Sequence, residues 1–256
     1  MSASPLTVWL DRDERLLRLR LARPKANIID AAMIAALDAA LHEYLPRPSL
    51  AAILLDHEGS HFSFGASVEE HLPDRCAAML RGLHTLIGRM VDCPVPILVA
   101  VRGQCLGGGL EVAAAGTLIF AAPDAQLGQP EIKLAVFAPA ASCLLPERIG
   151  QARAEDLLLS GRSLSASDAL HWGLVAAVAD DPQAAALAYF DTHLAGLSAN
   201  SLRLAVRAAR GDFAERIKAR IEQVESLYLD TLMKTADAVE GLQAFVDKRP
   251  PKWGSL

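Results

Sequence analysis

Val95-Pro96-Ile97-Leu98-Val99-Ala100-Val101-Arg102-Gly103-Gln104-Cys105-Leu106-Gly107-Gly108-Gly109-Leu110-Glu111-Val112-Ala113-Ala114-Ala115 carries the pattern that decides the fold. Residues 95–101 form a short, continuous apolar run, as in a strand covered on both faces. Three glycines make a tight turn, residues 110–115 begin a helix, and residues 118–121 read as a further buried strand. Upstream, Leu16, Leu17, Leu19 and Leu21 interleave with Arg18 and Arg20, the pattern of a strand with one buried face. Within residues 27–45, Met33, Ile34, Leu37 and Leu41 recur at helical spacing, with Asp30 placed to cap the start. Residues 50–55 predict a buried strand, and residues 76–91 a helix closed by Pro94 and Pro96. Strands alternating with helices predict an α/β fold with parallel strands.

The character changes near Leu197. Residues 201–210, 213–233 and 236–248 are helical in pattern, and Ile217, Ile221, Val224, Tyr228 and Leu232 make one apolar stripe along the middle segment. A helical segment with so little core of its own is expected to dock on the α/β part or on another subunit. The expected division is a core over residues 1–196 and a helical region over 197–256.

Composition sets the outer limits. The 256 residues include 25 Lys+Arg against 30 Asp+Glu, for a net charge of −5, with 52% hydrophobic residues. A chain this long folds without needing a disulfide or a metal. The scattered basic residues and acidic balance argue against nucleic acid or an anionic membrane as main partner. Early charges at Asp11, Arg12, Asp13 and Glu14 argue against a signal peptide, and no apolar run is long enough to span a bilayer. A cytoplasmic location is expected. Cys76, Cys93, Cys105 and Cys143 lack any metal or redox spacing and read as reduced, buried hydrophobes.

His57-Glu58-Gly59-Ser60-His61 spells the zinc-protease signature, but it follows a strand directly and contains two poor helix formers. A surface turn fits it better, and no metal site is expected. The glycine turn at residues 107–109 has two readings: unpaired N–H groups at the helix start hold an anion, or the turn has no ligand. Glu111 opens an otherwise apolar helix, and Glu131 lies in a Pro-fixed, apolar setting 20 residues on. Two carboxylates in semi-buried settings suit general acid and base work, because burial raises a carboxyl pKa. The structural alternative for Glu111 is favourable placement at a helix dipole.

Together with Arg23-Pro24-Lys25-Ala26-Asn27, His61-Phe62-Ser63-Phe64-Gly65-Ala66-Ser67, Leu127-Gly128-Gln129-Pro130-Glu131, Ala169-Leu170-His171-Trp172-Gly173 and Glu240-Gly241-Leu242-Gln243-Ala244-Phe245, these segments resemble the crotonase (enoyl-CoA hydratase/isomerase) family over nearly the whole chain. The resemblance implies a spiral of β-β-α units followed by a helical trimerisation region, assembled as a trimer or dimer of trimers. It implies an acyl-CoA thioester substrate and no cofactor, coenzyme A being part of the substrate. It places the N–H groups of Ala66 and Gly108 as an oxyanion hole, with Glu111 and Glu131 on either side of a water. Lys25 and Ala26 match the loop that contacts the CoA nucleotide, and Phe245 and Lys248 match residues that approach CoA from a neighbouring subunit. Two glutamates favour a hydratase over an isomerase.

The chain departs from the usual family pattern where the acyl group would sit. Ser67 stands where the family often has Asp, Phe62 and Phe64 flank that loop, and residues 137–143, from Phe137 to Cys143, replace a glycine-rich segment. Phe62, Phe64, Ser67, Phe137 and Cys143 are the expected lining of a reshaped acyl pocket. The closer resemblance, to members acting on cyclic dienoyl-CoA thioesters, implies a 1,4-addition of water. The competing readings are a general or cyclohexenoyl-CoA hydratase of the same family and a crotonase-like RNA-binding protein.

Overall fold

In the computed structural model, which describes residues 4–254, the chain opens with Leu6–Asp11 (β1) and Leu16–Leu21 (β2), paired antiparallel. The leucine–arginine alternation of β2 predicts one wet face; the structure covers both. Arg18 is only 4% exposed because its guanidinium meets Asp56 at 2.6 Å and Asp11 at 3.2 Å, with its Cζ 4.8 Å from the Trp9 ring centre. Arg20 joins the same carboxylate at 2.6 Å. Buried charge is tolerated only when paired in this way.

Ala31–Tyr44 (α1) begins directly after the expected cap. Asp30 is the cap, its Oδ1 accepting from Met33 N at 2.9 Å, while Asn27 is held in a loop at positive φ. Ala52–His57 (β3), Cys76–Val91 (α2) and Ile97–Val101 (β4) follow, then Gln104–Leu106 (β5), Gly108–Ala115 (α3), Leu118–Ala121 (β6) and Gln126–Gly128 (β7). The strand, strand, helix progression of β4, β5 and α3 places one strand in a large sheet and the next in a small one; β6 and β7 repeat it. Pro139–Ile149 (α4), Gln151–Ser160 (α5), Ser163–Ser165 (β8), Ala166–Trp172 (α6), Ala177–Val178 (β9) and Pro182–His193 (α7) complete the α/β part.

The large sheet runs β1-β2-β3-β4-β6-β9, parallel from β2 onward, and the small one β5-β7-β8. Both faces of the large sheet are covered, as the continuous apolar runs require. One face packs with α1, α2 and α3 in the main core, and the other with Phe190, Leu194 and Ala186 of the α7 region. His57 ends β3 and residues 58–60 form a bend, so the two histidines of the zinc-like signature do not share a helix face.

Where the sequence predicts two helices, one 28-residue helix, Ala199–Ser226 (α8), runs straight through Gly211. It ends in a π-helical turn at Leu227–Thr231 and a 3-10 turn at Leu232–Lys234, before Ala236–Val246 (α9). Ile217, Ile221 and Tyr228 of the stripe are buried in the main core. Helix α8 packs on α2 and α4, and Arg210 caps the end of α3 by donating to Ala115 O at 3.0 Å. The C-terminal helices therefore dock on the α/β part of their own chain.

Candidate active site

Residues 62–66 run beside β5 through a bridge between Ser63 and Cys105, which brings Gly65 and Ala66 against the turn before α3. The approach is too close for side chains on the glycines. A Cβ on Gly108 would lie 3.0 Å from Ala66 Cβ and 3.1 Å from Ala66 N, and one on Gly109 would strike the Ser63 side chain at 2.5 Å. No turn, loop or cap hydrogen bond among the described residues uses the N–H of Ala66 or of Gly108. Two backbone donors, one of them at a helix N-terminus, thus lie close together without a partner in these bonds, an arrangement suited to a developing oxyanion. Asn27 braces the approach: buried, it donates to Glu58 O and His61 O at 3.0 Å each and accepts from Arg23 N at 3.0 Å.

Glu111, in the first turn of α3, is 3% exposed, and its Oε1 accepts from Ala141 N at 2.8 Å. Burial pushes its pKa up to about 7, against the lowering by the Ala141 and Ala140 amides. Glu131 sits on the 3-10 turn Pro130–Leu134, with its Oε1 only 2.6 Å from where a Cβ on Gly107 would be. Gly107 has φ +50, so the turn needs glycine both for its backbone and for the room it leaves the carboxylate. Burial, then the charge of Glu111, pushes Glu131 up to about 8. Gln129, buried and absent from the sequence-derived candidates, has its amide beside Glu131, and assigning the nitrogen to that side gives hydrogen bonds of 3.1 Å to both carboxyl oxygens. Two neighbouring carboxyls that each resist ionisation are suited to divide the work of acid and base.

A cavity of about 790 Å³ opens on Glu131 and Gly107, walled by residues 64–69, the Pro130–Leu134 turn, Val136 and the end of α9. Phe64, Ala66, Ser67, Phe245 and Lys248 line it. Phe245 and Lys248 line it from the C-terminal end of their own chain. Lys25 is exposed and Ala26 adjoins the rim, its carbonyl accepting from Phe64 N at 2.9 Å. Phe62, Phe137 and Cys143 do not line the cavity. Phe62 is fully buried with its ring edge-on to His57 at 5.7 Å, Phe137 packs edge-on to Tyr228 at 5.2 Å, and Cys143 turns its thiol back to Pro139 O at 3.4 Å. Ser67 caps backbone, accepting from Glu70 N at 3.4 Å.

His71 also lines the cavity, and no spacing pattern singled it out. Its Nδ1 lies 2.7 Å from Ser67 O, and since a carbonyl only accepts, Nδ1 carries the hydrogen. Burial lowers its pKa and keeps the ring neutral. Among the described residues no group of three or more His, Cys, Asp or Glu is placed to hold a metal, and no helix is long and apolar enough to cross a membrane.

Residues 11–255 match the enoyl-CoA hydratase/isomerase family. The chain belongs to that family. It is 66% identical over 252 residues, 98% of each chain, to the cyclohexa-1,5-dienecarbonyl-CoA hydratase of Thauera aromatica. It is 30% identical to the carnitinyl-CoA dehydratase of Salmonella typhi, covering 96% of this chain and 98% of that one. Among solved structures it resembles an enoyl-CoA hydratase/isomerase from Pseudoalteromonas atlantica T6c, with a TM-score of 0.84 at 30% identity over 98% of this chain and all of that one. In this family member Glu111 is buried and Glu131 is half-buried at the cavity, near two backbone donors that no turn or cap uses.

Proposed function

We propose that the protein is a hydro-lyase that adds water to cyclohexa-1,5-diene-1-carbonyl-CoA, giving 6-hydroxycyclohex-1-ene-1-carbonyl-CoA in the anaerobic degradation of benzoyl-CoA. The observation that carries this reading is the pair Glu111 and Glu131, both held toward the acid form beside the N–H groups of Ala66 and Gly108. The 66% identity to the Thauera hydratase supports the ring as substrate.

The two N–H groups receive the thioester oxygen. A carboxylate takes a proton from water as its oxygen bonds to the β-carbon of the ring, and the electron pair moves through the α-carbon to the thioester oxygen and the far end of the diene. The partner carboxylic acid then gives its proton to that far carbon, two bonds round the ring from the thioester-bearing carbon, and the double bond settles between the thioester-bearing carbon and the carbon that links the two. The remaining double bond is conjugated with the thioester, and the pair has exchanged one proton for another. Each oxyanion donor contributes about 3–4 kcal/mol in a site of this kind. Walls from Ile28, Val68, Leu134 and Val136 give a flat apolar ring its surroundings, while Phe245 and Lys248 stand at the mouth, where the CoA portion would leave. The helical region, with Leu204 and Leu227 exposed, is the proposed trimer contact.

The test is product analysis by mass spectrometry after separate incubation with the cyclic dienoyl-CoA and with crotonyl-CoA. Fast gain of one water on the ring and slow turnover of crotonyl-CoA is expected. The reverse preference would make the protein a general enoyl-CoA hydratase.

A further inference from the structure

Among the described residues, Tyr228 Oη is the one buried hydroxyl with no hydrogen-bond partner. The side chain is fully buried, so water at the surface does not relieve it. An unpaired buried hydroxyl costs roughly 1–3 kcal/mol, and a phenylalanine would fill the same space without that cost. The residue sits on the π-helical turn Leu227–Thr231, a backbone irregularity of the type that gathers at functional sites.

Its position relative to the glutamates follows from the segment it packs on. Val136 N donates to the backbone oxygen of Glu131 at 3.4 Å, and Ala141 N donates to the Glu111 carboxylate at 2.8 Å. Phe137, between those two anchors, meets the Tyr228 ring edge-on at 5.2 Å. The tyrosine therefore packs against the stretch that joins the two carboxylates. Burial, followed by the negative charges of Cys76, Glu131 and Glu111, holds the phenol well above its usual range, so it remains a donor throughout.

Resting on the hydratase reading above, we infer that the Tyr228 hydroxyl is a hydrogen-bond donor to the reacting oxygen, first as the water between the glutamates and then as the ring hydroxyl it becomes. The donor would occupy one lone pair of that oxygen, leave the other directed at the β-carbon, and favour hydroxylated over unhydroxylated acyl groups.

Tyr228→Phe tests this, because it removes one oxygen and preserves the packing on Phe137. Equilibrium binding of 6-hydroxycyclohex-1-ene-1-carbonyl-CoA and of its deoxy analogue, cyclohex-1-ene-1-carbonyl-CoA, is compared in wild type and variant, with thermal unfolding alongside. The hydroxylated ligand is expected to weaken about tenfold, the order of one net hydrogen bond, with the analogue unchanged and the melting temperature equal or higher. Unchanged binding of both ligands would overturn the inference, as would an equal loss for both, which marks a structural role. Repeating the comparison with 3-hydroxybutyryl-CoA and butyryl-CoA separates the two readings. If the wild type ignores the ring substrate yet Tyr228→Phe still loses its preference for the hydroxylated linear ligand, the ring assignment fails and the role of Tyr228 stands.

Discussion

Glu111→Gln should make the protein a far poorer catalyst and, at alkaline pH, a relatively more stable one. The glutamine oxygen can still accept from Ala141 N, so the local structure is retained while the titrating group is lost. In the wild type, burial raises the carboxyl from 4.5 to about 7. The folded state then holds a proton that the unfolded chain releases, so this group's contribution is most favourable below pH 4.5, falls as pH rises and levels off above 7. At about 1.4 kcal/mol per pH unit, that interval corresponds to about 3 kcal/mol. Urea denaturation of both proteins at pH 4.5 and 8.5, compared as a difference of differences, reads this number directly. The stability gap should move in favour of the variant by about 3 kcal/mol between the two pH values. Turnover of the cyclic dienoyl-CoA should meanwhile drop by about 10²–10⁴, as for removal of a general acid or base. Parallel stability curves would refute the argument that Glu111 bears an unrelieved burial cost, and near-normal turnover would remove it from the chemistry.

Two further substitutions probe other parts of the fold. Gly108→Ala places a methyl about 3 Å from Ala66 N and Cβ, so kcat for ring hydration should fall by about 10²–10³ while the far-UV circular dichroism is preserved. Asp56→Ala leaves the Arg18 guanidinium buried with only Asp11 at 3.2 Å; a loss of about 3–5 kcal/mol in urea denaturation is expected, with kcat unchanged wherever the protein is folded.

The elements nearest the chemistry were the most legible in the sequence. Glu111 stood out because a charge in an all-apolar helix has no solvated face, and Glu131 because proline and apolar neighbours restrict it. The glycines after β5 leave open whether the turn holds an anion, and no local pattern reveals the close packing of Ala66 against Gly108, a contact between residues 42 positions apart. Arg18 misled for a similar reason, since alternation along β2 says nothing of Asp56, which comes from the next strand. The stripe on α8 correctly marked Tyr228 as buried, but periodicity treats a phenol as another apolar ring and hides its hydroxyl. Phe62 reads as a pocket residue from its position in a motif, but its side chain is buried in the main core. The patterns of residues 201–210 and 213–233 read as two helices, yet a Cβ at the intervening Gly211 would meet nothing within 4 Å, and α8 continues through it.

The small sheet works as a ruler. Leu106 pairs with Gly128, and Gly107 N donates to Gly128 O at 2.9 Å, so the strand leading into one glutamate is clamped to the strand leading into the other. Strand registers shift in whole residues, about 3.3 Å at a time, and each step reverses the facing of every side chain. Inserting or deleting a single residue between Gly128 and Glu131 would therefore break the alignment of the two carboxylates outright, with no graded intermediate. Length changes around Gly150 or Gly173, where nothing crowds the backbone, leave that alignment untouched. Lineages of this fold are thus free to vary in length at those bends while the interval between the two glutamates keeps its count.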